Sequence, residues 1–287
     1  MREEGKILSA TNILRHTWRH LVRKPGNLVL SFWYLFILFL FQLVAVRGLG
    51  TGFQEWLKAL NPSKITVSNL PPLPHGLAVK LILTYLTMVL VVFPFVVGAL
   101  YGGVADSLRM GGNTQSGLLA FFRYGYRLFW ESLGLLVGIV VGTAVVLAVA
   151  LLINFFLAFV GEHALVLRVI MGIVGTIVIL ALMFWWFSAV LYWMGAVYFG
   201  QQRVLPSLGE ALSWVWRHKG ESLRVMGLTV LLVLVTAVLF SLFTLVPIIG
   251  QFFAIILYAG ILALIATESS VFYREARQHD IPPTFSA

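Results

Sequence analysis

Six times along the chain the polar residues give way to apolar blocks of about 20 residues or more, the length an α-helix needs to cross a bilayer. The blocks run Asn27–Val46, Val79–Val104, Ser132–Val160, Leu165–Phe199, Val225–Val246 and Ile249–Tyr273. The third and fourth exceed the minimum, so tilt, kinks or ends lying in the interface are expected. Between blocks the pattern changes to a helical stripe. "ILRHTWRHLVRKPG" sets Ile13, Leu14, Thr17, Trp18, Leu21 and Val22 on one face, with Arg15, Arg19, His20 and Arg23 on the other. In "GLLAFFRYGYRLFWESLGLLVG" the stripe is Leu118, Leu119, Phe122, Tyr126 and Phe129, with Arg123 and Arg127 away from its centre. In "SLGEALSWVWRHKGESL" Leu208, Ala211, Leu212 and Val215 keep helical spacing, and Arg217, His218 and Lys219 close the segment. Such spacing is what a helix lying along a membrane surface requires.

One surface helix followed by two spans therefore recurs three times, over 7–104, 115–199 and 206–273, with 274–287 as a short tail. The expected fold is all-α: a single polytopic membrane domain of six transmembrane helices with three interfacial amphipathic helices. Composition agrees, since 60% of the 287 residues are hydrophobic and 11% charged. A soluble domain has roughly 45–50% and about 25%. The absence of cysteine excludes disulfides, Cys-zinc sites and iron–sulfur clusters, and says little about compartment. The first block starts only at Asn27 and lacks an early small-residue cleavage site, so it reads as a retained first helix.

The net charge of +9 matters through its placement. The N-terminal arm, the second-to-third and fourth-to-fifth connections and the tail hold most of the Lys and Arg. Short loops with that excess face the cytoplasm, so both termini are expected inside a prokaryotic inner membrane. Arg47, Lys58, Lys64, Lys80 and Arg168 remain on the other side, several at span ends where they can snorkel. There "GFQEWLKALNP" sets Phe53, Trp56, Leu57 and Leu60 on one face as a surface helix of the second leaflet, and "NLPPLPHG" returns the chain stiffly.

The thrice-repeated helix-and-hairpin order, the "FFRYGYRLFWESL" and "SLGEALSWVWRHKGESL" segments and the final "LVPIIGQFFAIIL" hairpin resemble a broad group of six-span bacterial membrane proteins. It includes the membrane domain fused to some glycerophosphodiester phosphodiesterases and several inner-membrane proteins of unknown function. The resemblance covers nearly the whole chain and implies a domain that anchors, organises or assists. No segment resembles the fused soluble phosphodiesterase, so its activity is not expected here.

Candidate chemistry is sparse. His16 and His20 stand four apart, as helical metal ligands can. Their neighbours are Arg and Trp, with neither a third ligand nor an intervening Glu, so no metal is expected. The basic, aromatic-interleaved helices suit phosphate, whether of nucleic acid or of an anionic leaflet. Because they flank spans, lipid is the expected partner and nucleic acid is not. Arg15, Arg19, Arg23, Arg123, Arg127, Arg217 and Lys219 are expected to contact lipid phosphates, with Trp18, Phe122, Phe129 and Trp216 as interfacial anchors.

Gly134, Gly138 and Gly142 repeat every four residues in the third span, a seam that lets helices approach closely or, alternatively, opens a ligand cleft. Pro94 in "VVFPFVV" interrupts the second span, as a kink or as one wall of a transport path. Gln42, Asn154 and Gln251 are the best polar candidates inside spans, with scattered Thr and Ser, and Lys80, Arg168 and Glu268 fall near span ends. Amides pin helices or bind substrate. Ser188 in "WWFSAVLYW" has no membrane-depth base, and no nucleotide, cofactor or hydrolase motif occurs. The expected function is a non-catalytic membrane protein without a cofactor, binding anionic lipid at the cytoplasmic surface and organising or assisting a membrane partner. The alternative is a transporter or permease subunit with a path near Pro94, Asn154 and Gln251.

Overall fold

The structure, a computed structural model, describes residues 10–59, 74–110, 117–160, 165–244 and 249–280. Leu60, residues 69–73 of the "NLPPLPHG" return, the Pro247 turn of the last hairpin and residues 281–287 lie outside the described residues, as does the side chain of Gln251. Every described element is helical: α1 (Ala10–Arg23), α2 (Gly26–Leu49), α3 (Thr51–Ala59), α4 (His75–Thr87), α5 (Phe93–Met110), α6 (Leu118–Arg127), α7 (Phe129–Val160), α8 (Leu165–Tyr198), α9 (Val204–Arg217), α10 (Lys219–Thr244) and α11 (Ile249–Asp280). Six helical stretches are long and apolar enough to cross a membrane, and they coincide with the six apolar blocks. The chain is an all-α, polytopic membrane protein.

The second span is continuous but changes pitch. Between α4 and α5 the residues Met88–Val92 form a π-turn, and the Phe93 amide donates to the Met88 carbonyl five residues back. Pro94 follows at the second position of α5 and has no amide hydrogen to donate into the span. The wide turn takes up the clash that a proline ring makes with the carbonyl four residues earlier. Pro94 thus marks a change of pitch, and its side chain is buried.

Helices α1, α6 and α9 each end in a sharp turn into the next span. The Lys24, Leu128 and His218 amides close these turns on His20, Tyr124 and Trp214. α6 packs on α5, α9 on α8, and α1 on α11, so the last span closes a ring begun by the first short helix. The hairpins α2/α5, α7/α8 and α10/α11 pack internally, and α11 also touches α2, α5 and α8. It is the hub: 56% of its span is buried, against 6–22% for the others.

What makes α11 a hub is its composition. Ala259, Ala263, Ala266, Thr267, Ser269, Ser270 and Ala276 are all fully buried small residues, and such residues let helix backbones approach. Their hydroxyls carry little polar cost, because Thr267 donates to the Ala263 carbonyl and Ser270 to the Ala266 carbonyl. Around this stem an aromatic core assembles: Tyr192 stacks on Trp214 at 5.1 Å between centroids, Phe272 meets Trp214 edge-on at 5.2 Å, and Tyr101 stacks on Tyr198 at 5.2 Å. The core lies toward the end where the short helices sit. Toward the other end the spans carry exposed Phe, Leu, Val and Ile.

The glycine seam packs differently from two backbones in contact. A Cβ at Gly138 would meet the Trp193 ring, and one at Gly142 the Trp186 ring, while Gly134 faces Val204 at 3.6 Å. Trp193 donates to the Val204 carbonyl at 2.7 Å and Trp186 to Thr143 Oγ1 at 2.9 Å. The seam is a groove for two pinned indoles from α8. The close backbone approach occurs instead at Gly195, where a Cβ would land on the Ser269 carbonyl oxygen of α11.

Candidate functional site

At 3.6 residues per turn, each short helix divides into three sectors. In α1 the bundle side holds Ile13, Thr17 and Leu21, all buried, with His20 and Lys24 beside them. The next sector round is apolar yet exposed: Trp18 and Val22. Then come exposed Arg15, Arg19 and Arg23. In α6 the bundle side is Ala120, Phe121, Tyr124 and Gly125, the exposed apolar sector is Leu118, Phe122 and Tyr126, and the cationic one is Arg123 and Arg127. In α9 the sequence is Ser207, Ala211, Trp214 and Val215, then Leu205 and Trp216, then Ser213 and Arg217. The order bundle, apolar, polar runs in the same rotational sense in all three. The α6 stripe read from sequence is thus its outward face, whereas the α9 stripe faces the bundle.

The cations of these sectors are largely unspent. Arg15, Arg19, Arg23, Arg123 and Arg127 make no ion pair or hydrogen bond among the described residues. Arg217 donates to Ser213 Oγ at 2.8 Å, and Lys219 sits 4.3 Å over the Trp216 ring. Phe122 leans on Phe95 at 5.5 Å, and Phe129 is half-buried against Trp130.

Other charged and polar side chains rivet the helix ends together. His16 Nδ1 lies 3.2 Å from Glu275 Oε1, His20 Nε2 is 3.3 Å from Ser107 Oγ, and Lys24 Nζ donates to the Ser107 carbonyl. The two histidines thus point to different partners, and no three His, Asp or Glu converge as a metal site among the described residues. Arg109 caps the C-terminal end of α8 by donating to the Phe199 carbonyl at 2.9 Å and the Tyr198 carbonyl at 2.5 Å. Tyr124 donates to Asp106 Oδ2 at 2.5 Å; burial, reinforced by that bond, pushes its phenol up to about 12. Glu210 accepts from Tyr192 at 2.8 Å and Gln202 at 3.0 Å, and pairs with Arg277 at 3.1 Å.

Burial, then the nearby Lys24 and Arg274 charges, pushes His20 down to about 4. Between about 4 and the ordinary value of 6.5 the unfolded chain binds a proton that the folded chain does not, so folding stability falls as pH drops through that window. His20→Gln is expected to flatten this limb in detergent denaturation curves taken from pH 7 to pH 4. A slope unchanged by the substitution would show that His20 does not carry it.

Between α5, the α6–α7 turn and the α8–α9 turn lies a cavity of about 500 Å³. Three arginines border it, Arg109, Arg127 and Arg203, together with Asp106, Glu131, Tyr124, Trp130 and Gln202. Gln201, also on its wall, is at φ 53°, the only positive φ outside glycine among the described residues. Of this set the sequence singled out Arg127 alone. The missed residues are brought together from four elements, and no spacing along the chain signals that convergence.

The remaining sequence candidates do not converge. Pro94 is buried near the middle of the second span, and Asn154 is exposed on α7 beside Gly175 of α8. Gln42 is exposed on α2. Ser188 donates to the Phe184 carbonyl at 2.7 Å and approaches the Ser222 carbonyl at 3.2 Å. Glu268, read as falling near a span end, is fully buried because α11 continues past Tyr273 to Asp280. Its Oε1 accepts from Thr229 at 2.6 Å, and its Oε2 has no partner. Asn27, likewise buried, has no partner for its amide atoms. The overlooked signal was "ATESSVFY", a span segment polar on several sides at once, which only a helix enclosed all round tolerates.

Six apolar spans, ringed at one end by short helices with cationic outer sectors, define the class: a multi-pass, all-helical membrane protein. No family model, curated protein or solved structure matches the chain. Its function is read from the residues and their placement alone.

Proposed function

We propose that this chain is a non-catalytic protein of a prokaryotic inner membrane that binds anionic lipid at the cytoplasmic surface and thereby organises or assists a membrane partner. The observation that carries the reading is the shared sector order of α1, α6 and α9. Three helices circulating in one sense around one end of a bundle, on one membrane surface, need their apolar sectors on the same side, next to the bundle sector. Trp18, Phe122 and Trp216 then enter the acyl boundary, with Phe129 at the turn into α7, and Arg15, Arg19, Arg23, Arg123, Arg127, Arg217 and Lys219 meet headgroup phosphates. The charge balance supports the cytoplasmic assignment: thirteen Lys and Arg of the described residues belong to this end and four to the other.

Each basic residue near an anionic surface contributes about 1 kcal/mol, or about fivefold in affinity. In nanodiscs of mixed phosphatidylglycerol and phosphatidylcholine, the full chain is expected to enrich phosphatidylglycerol around itself. The R15Q/R19Q/R23Q triple variant is expected to lose most of that enrichment while retaining its helical circular dichroism. Equal lipid shells around both proteins would remove the reading.

A further inference from the structure

The cavity between α5, α6, α7 and the α8–α9 turn holds charges that the fold leaves unsatisfied. Arg109 is occupied by carbonyls of the α8 end, and Asp106 by the Tyr124 hydroxyl. Arg127, Arg203 and Glu131 line the same space, and none has an ion pair or side-chain hydrogen bond among the described residues. Two free guanidiniums bordering one cavity match a phosphate. Glu131 adds a further demand. It is a carboxylate with no partner among the described residues beside the same cavity, so the cavity calls for a donor as well as an anion. The volume of about 500 Å³ falls in the range of small-molecule sites. Backbone strain at Gln201 on its wall is of the kind that persists where surrounding structure holds a site in shape.

We propose that this cavity seats a phospholipid headgroup bearing both a phosphodiester and a primary ammonium, as in phosphatidylethanolamine. Arg127 and Arg203 take the phosphate, and Glu131 accepts from the ammonium. A choline headgroup supplies the phosphate but no donor. A glycerol headgroup supplies donors but no counter-charge for Glu131. Trp130, 75% exposed at the start of α7, stands at the cavity wall where an indole suits the lipid interface, which favours a lipid over a soluble aminoalkyl phosphate. The proposal rests on the membrane-surface reading above and goes beyond it, from a charged rim to a shaped site.

The test is native mass spectrometry of the delipidated full chain in mild detergent, offered equal concentrations of phosphatidylethanolamine, phosphatidylglycerol and phosphatidylcholine. Wild-type protein is expected to retain the ethanolamine lipid about tenfold over the choline lipid, the worth of one charge-assisted hydrogen bond. Glu131→Gln is expected to bring that ratio near one, and Arg127→Gln with Arg203→Gln to lower retention of all three. The R15Q/R19Q/R23Q variant is expected to lose glycerol lipid and keep the ethanolamine preference, which separates this site from the general surface. Equal retention of ethanolamine and choline lipids by the wild type, a comparison that needs no variant to fold, would overturn the headgroup site and leave the surface reading standing. Binding of soluble O-phosphoethanolamine as tightly as its diacyl form would overturn the lipid assignment.

Discussion

Gly195→Ala is expected to destabilise the detergent-solubilised chain by about 3 kcal/mol, the upper part of the range for overpacking a well-packed core. The added methyl would land on the Ser269 carbonyl oxygen, with Tyr273 Cβ 2.6 Å away. Both belong to α11, the helix against which α1, α2, α5, α8 and α10 pack. A backbone carbonyl inside a helix cannot swing aside, so relief requires α8 and α11 to separate. That separation would loosen the stacking of Tyr192 on Trp214 and the contact of Tyr192 with Tyr273 at 5.2 Å. Gly138→Ala provides the comparison. Its methyl meets the rim of the Trp193 indole, a side chain that can tilt, although its bond to the Val204 carbonyl resists. Gly138→Ala is therefore expected to cost less than Gly195→Ala in paired unfolding curves in mixed micelles. The reverse order would show that the α8–α11 contact is not the tightest in the molecule.

Glu210→Ala is expected to cost about 2–3 kcal/mol, most of it from one partner. Tyr192 is fully buried and its hydroxyl donates to Glu210 Oε1; removing the carboxylate leaves that hydroxyl without an acceptor, and hydrogen bonds to charged groups contribute roughly 1.5–3 kcal/mol. The Arg277 pair looks stronger on paper but is half exposed, with side chains 47% and 32% accessible, and such pairs contribute about 0–1 kcal/mol. Arg277→Gln should thus cost far less than Glu210→Ala, and Tyr192→Phe should recover part of the loss when combined with it. If Arg277→Gln proved the more damaging, the ion pair would be the true fastener. Glu210 also holds the Gln202 amide that lines the cavity, so the same substitution frees a cavity wall and links stability at α9 to the site.

Much of the packing was invisible along the chain for identifiable reasons. Gly134, Gly138 and Gly142 advertise a seam through their spacing, but whether a seam receives backbone or an indole depends on what the facing helix presents, here Trp186 and Trp193. Gly195, flanked by large residues in "LYWMGAVYF", has no such spacing, and its contact emerges only when α11 arrives beside it. Trp18 and Val22 pattern with Ile13, Thr17 and Leu21 as one apolar face. The structure splits that face into a buried part and an exposed part, a distinction between two apolar surroundings that hydropathy cannot express. His20, counted with the arginines, turns inward to Ser107.

The sequence by itself determined the six apolar spans, the three short basic helices that each precede a pair of them and the asymmetry of positive charge, because these depend on local length, period and composition. Which span becomes the hub, the closing of α11 onto α1, the burial of Glu268 and the gathering of Arg109, Arg127, Arg203, Glu131 and Gln202 around one cavity were decided only by the tertiary structure. Those features depend on which faces of distant helices meet, and a face carries no record of its partner until both are in place.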